Sequence, residues 1–526
     1  MPTLARRVIS LTQLATDHAT RVEVDGEKIL LVRDGDTVHA YGADCPHAGG
    51  PLEEGALCNG HIVCPWHKGT FDVSTGDVLE PPALTALDRY PVEVHDGNVM
   101  VTPQKIERPG AATSPGTLAD APTDTREFVV IGAGAAGAAA CAALRMNGFN
   151  GRIKLIGEES QEPYDRTALS KFVPAGEMSV NDVPALLPPQ WLERERIERI
   201  DATIVSLDVP TRRIQFEDGR ELGYDTALLA SGSVPNRPPV PGCDLGSVHL
   251  LRNLGDARAL CETLKDAQHA VIVGSSFIGL EVASALRKRG TRVTVVASEA
   301  VPFERQFGTR LGTLFQHLHE RHGVTFRLNE TLAELVGDTS VHEVVLKSGT
   351  RIAADVVLLG TGVSPATGFV KGLALQKDGG VLVNGGMQAA PGLYAAGDVA
   401  AFPLYEDQEP VRIEHWRLAQ QHAFIAAQNM LGARNRYKGV PYFWTYHYDM
   451  NFEYLGHASG WDTVTIDGDL DQHRFLALYV KANIVVAVLA CGREAATARL
   501  IESMQTGISP SEALRLAKEQ ENVSAE

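Results

Sequence analysis

The rhythm of apolar and polar positions changes twice along the chain. Through residue 103 the apolar residues fall in short β-type runs, Lys28–Arg33, Thr37–Tyr41, His61–Cys64, Val92–Val94 and Asn98–Thr102, parted by Gly, Asp and Pro clusters. Short runs punctuated in this way predict a small all-β domain. Residues 104–125, QKIERPGAATSPGTLADAPTDT, carry no period and read as a linker. From Arg126 onward, buried-type strands alternate with Ala-rich helical stretches, the α/β pattern. The unit repeats. Phe128–Ile131 leads into GAGAAG and an Ala-rich helix, and Ala270–Val273 leads into GSSFIG and the helix Leu280–Gly290. Beyond residue 439, the strand-like runs Phe475–Val480 and Ile484–Leu489 precede a helical stretch from Ala495. The expected architecture is multidomain: an all-β domain at 1–103, a linker at 104–125, one Rossmann-like α/β domain at 126–245 resumed at 366–438, a second at 246–365, and an α+β domain at 439–526.

Charge narrows the function classes. Lys+Arg is 48 against Asp+Glu 65, a net charge of −17. Sequence-independent binding to nucleic acid or to an anionic membrane needs a basic surface, so both are excluded. No apolar run reaches the roughly 18 residues of a membrane span. MPTLARRVISLTQL has no continuous apolar signal core, and the 7 cysteines are too sparse for a disulfide scaffold. A reducing cytoplasm is the default expectation.

Four of the potential metal ligands stand in a specific spacing. Cys45-Pro-His47 is followed by Cys64-Pro-Trp-His67. Two thiolates and two imidazoles from two loops are the ligand set of a Rieske 2Fe–2S centre, in which His₂ replaces Cys₂ on one iron. A zinc site is the alternative, but zinc fingers pair C-x₂₋₄-C with H-x₃₋₅-H rather than mixing Cys and His within each pair. Cys58 and His61, between the loops, have no ligand role in the pattern.

Two glycine loops suit two dinucleotides. Gly132-x-Gly134-x-x-Gly137 follows a strand and opens a helix, which aims backbone N–H groups at a pyrophosphate. Glu158, after the strand Arg152–Gly157, is placed to bond ribose hydroxyls. Downstream, Gly392-Leu-Tyr-Ala-Ala-Gly397-Asp398 ends a strand in an Asp that can hold a ribityl hydroxyl. The second loop, Gly274-Ser-Ser276-Phe-Ile-Gly279, has Ser276 at the middle glycine position. After its strand Arg292–Val296, Ala297 stands where an acidic residue is expected and Glu299 comes two residues late. With no Arg cluster at that turn, NAD(H) is expected over NADP(H).

These segments carry a resemblance over nearly the whole length. Residues 1–103, with CPHAGGPLEEG and CPWHKGTFD, resemble a Rieske ferredoxin domain. Ala230-Ser-Gly232 with Gly397 and Asp398 resembles the FAD half of the two-dinucleotide flavoproteins. EPYDRTALSK, VIVGSSFIGLEVA, GLYAAGDVA, IEHWRLAQQHAFIAAQNM and VPYFWTY resemble the ferredoxin-reductase and apoptosis-inducing-factor branch. Together the chain resembles a Rieske-containing apoptosis-inducing-factor-like flavoprotein.

The resemblance implies FAD, NAD(H) and a Rieske 2Fe–2S cluster as cofactors. It implies Arg166, Gly232, Arg252, Gly362, Gly397, Asp398 and Trp416 as cofactor-binding residues, Lys171 and Glu281 as a pair beside the flavin, and Trp444 as an aromatic at the ferredoxin-docking surface. Lys171, Glu281, Trp416 and Trp444 are the candidate catalytic residues. Gly50 and Trp66 stand where high-potential Rieske proteins carry a bracing disulfide, and Gly69 and Phe71 where they carry hydroxyl donors. A cluster potential at the low end of the Rieske range follows. Disulfide reductases on this fold have a C-x₄-C pair beyond the FAD loop, but Tyr164–Phe172 contains no Cys. The expected function is NADH-dependent transfer through FAD to the chain's own cluster and on to an unknown acceptor, an oxygenase or another redox protein. The alternative is an NADH-responsive redox sensor or scaffold with little turnover. A homodimer is admissible.

Overall fold

The computed structural model describes residues 4–107, 124–404 and 409–524. Most of the expected linker, 108–123, lies outside them. At its start, Ile106 N–H still bonds to Arg89 C=O at 2.8 Å.

The N-terminal domain is all β. Two three-stranded sheets carry Arg6–Ser10, Asn98–Val101 and Val92–His95, and Thr20–Val24, Glu27–Asp34 and Thr37–Gly42. A four-stranded sheet of Ala56–Cys58, His61–Val63, Thr70–Asp72 and Val78–Glu80 holds the ligand loops at its ends. Its first hairpin turns at Asn59-Gly60, both with positive φ (55° and 77°), the backbone that an Asn-Gly hairpin turn requires.

The first α/β domain is a six-stranded sheet in the order Ile197–Asp201, Arg152–Gly157, Glu127–Ile131, Thr226–Leu229, Leu393–Ala395, Gln388–Ala390. Glu127–Ile131 runs parallel to both neighbours and its apolar residues are buried on both faces, as an EFVVI run predicts. The late strand Leu393–Ala395 pairs with Ala227–Leu229, so distant segments complete one sheet. The second domain has a five-stranded sheet, Val248–His249, Val356–Leu359, His269–Val273, Arg292–Val296 and Val324–Arg327.

The C-terminal segment folds as a five-stranded antiparallel sheet with the helices Glu494–Ser503 and Pro510–Ser524. Ala56, Cys58 and Val63 of the N-terminal domain bury their side chains in the same core as Tyr442, Leu476 and Leu500. The β domain is therefore packed against the C-terminal domain.

Candidate functional site

The two ligand loops close in the same way. Cys45 N–H donates to Gly50 C=O at 2.8 Å, and Cys64 N–H donates to Gly69 C=O at 2.9 Å. Gly49 and Lys68 turn the backbone at φ 76° and 60°. Closure aims N–H groups at sulfur: His47 and Ala48 donate to Cys45, and Trp66 and His67 to Cys64. The two thiols face each other closely enough to titrate as a pair, with Cys45 pushed up and Cys64 pushed down. His47 and His67 meet edge-on with centroids 4.9 Å apart, and burial lowers both pKa values, keeping the imidazoles neutral. Two neutral imidazoles and two paired sulfurs that accept backbone N–H bonds fit the donor set of a 2Fe–2S cluster, which binds the sulfurs as thiolates. Gly50 has a packing reason as well: a Cβ there would lie 2.9 Å from Cys64 Sγ and 3.2 Å from the Trp66 ring.

A cleft of about 1050 Å³ opens at the carboxyl ends of the first domain's strands. Gly132, Gly134, Glu158, Arg166, Lys171, Gly232, Arg252, Glu281, Gly397, Asp398, Trp416 and Trp444 all line it. At Gly132 a Cβ would lie 2.2 Å from Ala230 C=O, and at Gly137 one would lie 1.9 Å from Gly132 C=O, so both positions require glycine. At Gly134 a Cβ would meet nothing nearer than Arg166 Nε at 4.0 Å, which leaves the open face a pyrophosphate needs. Arg252 Nη2 bonds to Asp398 Oδ2 at 3.1 Å, and Ser233 Oγ donates to the same oxygen at 2.7 Å. Trp416 Nε1 and His415 Nδ1, at the start of the helix Trp416–Met430, are buried with no partner. Orphaned ring nitrogens lining a cleft of this size fit a bound FAD.

Lys171 Nζ and Glu281 Oε2 stand 3.2 Å apart, both nearly buried. Ser170 and Thr445 hydroxyls donate to the two oxygens of Glu281 at 2.5 and 2.8 Å. Neither hydroxyl was singled out in the sequence, nor was Glu159, which pairs with Arg166 and Tyr164. No cysteine lines the cleft among the described residues. Cys141 is fully buried, and burial pushes its thiol up to about 12, which makes it inert.

The structure does not bring Gly274, Ser276, Gly279, Glu299 or Gly362 to this cleft. They belong to the second α/β domain. Ser276 precedes the helix Phe277–Lys288 in an extended conformation, and its hydroxyl donates to Gly360 C=O at 3.2 Å rather than capping the helix. Gly232 and Gly362 take the same turn in their respective domains, with φ of 71° and 85°. One sequence expectation needs correction. Gly132 N–H bonds to Ile156 C=O and Gly274 N–H to Val296 C=O. This register sets Ala297 level with Gly157 and Ser298 level with Glu158. The acidic position is held by Ser298, and Glu299 is one residue late rather than two.

Trp444 joins the two sites. It lines the cleft, lies 5.8 Å under Lys171 Nζ, and its ring meets that of His67 at 4.4 Å. The β domain is held there by buried charge. Lys68 Nζ pairs with Glu453 at 2.8 Å, with both side chains at 1% exposure or less. Glu453 also accepts from Tyr442 at 2.8 Å and Thr497 at 2.5 Å. Arg417, fully buried, donates to Pro81 C=O and Lys68 C=O at 2.8 Å and to Glu80 at 2.6 Å. His61 bonds Glu502 at 2.9 Å, and Cys58 lies against Arg499, so the two residues without a ligand role belong to the domain interface.

Comparison with known proteins adds three family matches. Residues 6–91 match the Rieske [2Fe-2S] domain, 126–423 the pyridine nucleotide-disulphide oxidoreductase family and 442–523 the reductase C-terminal domain. Apoptosis-inducing factor 3 of Mus musculus is 35% identical over 514 residues, covering 95% of this chain and 84% of that protein. The biphenyl dioxygenase system ferredoxin–NAD(+) reductase component of Paraburkholderia xenovorans is 37% identical, covering 67% of this chain and 86% of that protein. Among solved structures, the ferredoxin reductase for the CYP199A2 system of Rhodopseudomonas palustris aligns with TM-score 0.70 and 28% identity, covering 74% of this chain and 97% of that chain. The covalent putidaredoxin reductase–putidaredoxin complex aligns with TM-score 0.70 and 27% identity, covering 74% and 96%.

Proposed function

The chain belongs to the pyridine nucleotide-disulphide oxidoreductase family, as an NAD(P)H-dependent FAD oxidoreductase of ferredoxin-reductase type with its own Rieske [2Fe-2S] domain, and we propose that its electrons pass from NADH through FAD to that domain and then to a separate acceptor. The observation that carries this reading is the 4.4 Å contact of Trp444 with His67, made from inside the cleft. In this reading Gly132, Gly134, Gly137, Glu158, Arg166, Gly232, Arg252, Asp398 and Trp416 hold FAD. Gly274, Ser276, Gly279, Glu299 and Gly362 hold NADH, and Cys45, His47, Cys64 and His67 hold the cluster. When bound, FAD takes up the two electrons of a hydride and passes them on singly.

The chain's own residues supply the rest. Lys171 sets a positive charge at the cleft wall, and Glu281, paired with it, moderates that charge. Trp444 fills the space between cleft and ligand loop, with its ring 4.4 Å from that of His67. Lys68, Glu453 and Arg417 fix the ligand loops against that ring. The acceptor we favour is an oxygenase component, since several relatives are reductases of dioxygenase systems. Among the described residues no helix is long and apolar enough to cross a membrane.

Anaerobic rapid mixing with NADH tests the route. Trp444→Leu is expected to lower the ratio of cluster-bleaching to flavin-bleaching rate at least tenfold. An unchanged ratio removes Trp444 from the route. In the wild-type chain, a long-lived reduced flavin beside an oxidised cluster would favour the sensor reading.

A further inference from the structure

The second ligand loop carries a buried cation beyond its ligands. Lys68 follows His67 directly, and its N–H donates to Cys64 C=O at 3.2 Å. Its side chain folds back on the loop. Nζ donates to Pro65 C=O, to Glu453 Oε1 at 2.8 Å and to Glu494 C=O at 3.4 Å. Three acceptors match the three protons of an ammonium group, so the charge is held at one point. Two of the three, Glu453 and Glu494, belong to the C-terminal domain.

Fastening one domain to another does not need this arrangement. Apolar side chains of similar volume often hold a buried contact as well as an ion pair does. What the pair adds is a full positive charge, with its side chain 0% exposed, in the loop that bears Cys64 and His67. Both ligands feel it. The pKa of Cys64 is lowered chiefly by Cys45 and then by the loop N–H groups, and that of His67 chiefly by burial and then by His47. Lys68 adds to the lowering of each. Lys171 also acts on His67, but it lines the flavin cleft and is paired there with Glu281. Lys68 is met by Glu453 alone among the carboxylates bonded to it. Burial raises the pKa of Glu453, and the pairing with Lys68 opposes that rise. Thr497 donates to the other oxygen of Glu453 at 2.5 Å. The Tyr442 hydroxyl lies 2.8 Å from Glu453 Oε1 and 2.7 Å from Trp66 C=O, which ties the carboxylate to the ligand loop a second time.

We propose that Lys68 and Glu453 set the potential of the cluster from outside its ligand set, Lys68 raising it and Glu453 holding it down. The inference rests on the ligand set proposed above. Reduction adds one electron to the cluster and no proton, so the site becomes one unit more negative. A buried cation stabilises that added charge and a buried anion opposes it, because solvent and salt screen buried charges little. Lys68 stands in the loop itself and acts more strongly. Glu453 stands behind it, acts more weakly, and comes from another domain. Docking therefore leaves the electron less tightly held than Lys68 alone would hold it, which suits onward transfer to an acceptor. Both are positioning residues, since neither ligates iron.

Redox titration of the full-length holo chain with mediators, followed by the Rieske-type EPR signal, tests this without NADH. In Lys68→Met the ratio of reduced to oxidised cluster at a fixed solution potential is expected to fall about tenfold or more. The Glu453 left behind either takes up a proton or stays charged, and neither reverses that sign. In Glu453→Gln, which keeps the shape of the side chain, the ratio is expected to rise, by a smaller factor. Thr497→Val loosens the same contact without altering charge and is expected to leave the ratio unmoved. A ratio that stays or rises in Lys68→Met overturns the proposal, as does one that stays or falls in Glu453→Gln. A shift in Thr497→Val equal to that in Glu453→Gln also overturns it, since loosening rather than charge would then be the cause. Where one charge variant holds no cluster, the other decides. Loss of the cluster from both marks the pair as structural and overturns the tuning. A wild-type chain without the Rieske-type signal removes the ligand set instead, so the two failures are told apart.

Discussion

A Cβ on Gly69 would stand 3.8 Å from Cys45 Sγ, in ordinary van der Waals contact with its neighbours. The backbone there needs no positive φ, so a side chain fits. A hydroxyl at this place would donate toward sulfur and favour the reduced, more negative cluster. Gly69→Ser is expected to raise the midpoint potential by about 20–65 mV, taking one hydrogen bond at ~0.5–1.5 kcal/mol. The wild-type value is expected near the low end of the Rieske range, about −150 mV. Spectroelectrochemical titration of both full-length chains checks the shift, and equal midpoints would show that the backbone N–H donors already saturate the sulfur. At this scale the sequence is most legible where chemistry demands a residue type at a fixed local spacing. The C-x-H and C-x₂-H pairs and the first glycine loop are read directly. Ser170, Thr445 and Arg417 are not, because a hydroxyl or a guanidinium in a helical or strand pattern is normally a solvated side chain, and only tertiary contact shows otherwise.

At the scale of elements, the docking of the β domain depends on buried charges. Lys68 stands in a left-handed conformation with φ 60°, strain of about 1–3 kcal/mol that its buried partners must offset. Glu453→Ala leaves Lys68 buried and unpaired, and is expected to destabilise the docked chain by about 3–5 kcal/mol. Lys68→Met with Glu453→Leu is expected to cost less than the single change, because no lone charge remains. Urea midpoints measured for the two variants check this, and a double variant worse than the single would contradict it.

His61 gives the same interface a pH dependence. Its bond to Glu502 is the largest cause raising its pKa above 6.5, with Glu80 and Asp72 adding to it. A raised histidine pKa stabilises fully below the ordinary value and loses that contribution as pH climbs through the raised one. The wild-type Tm is therefore expected to fall more steeply than that of His61→Gln as pH rises above the ordinary histidine value of about 6.5. Parallel curves would show that this bond does not contribute. Strand and helix order could be read from the sequence, since alternation and Ala-rich runs are local signals. The domain interface could not, since it joins residues hundreds of positions apart, such as Lys68 to Glu453.

At the scale of the molecule, one chain places a dinucleotide cleft, an aromatic ring and a cluster loop in series. A free-standing reductase must meet its ferredoxin by diffusion, whereas here Trp444 and His67 are held together by the fold. Fold resemblance does not name the acceptor, because many chemistries share this architecture. The acceptor depends on the proposed first step, transfer from the flavin to the chain's own cluster. Anaerobic stopped-flow of the holo chain with NADH, recorded at several protein concentrations, tests that step most directly. The expected result is cluster bleaching that follows flavin bleaching at a first-order rate independent of protein concentration. A cluster that stays oxidised, or a rate proportional to protein concentration, would contradict electron transfer within the chain.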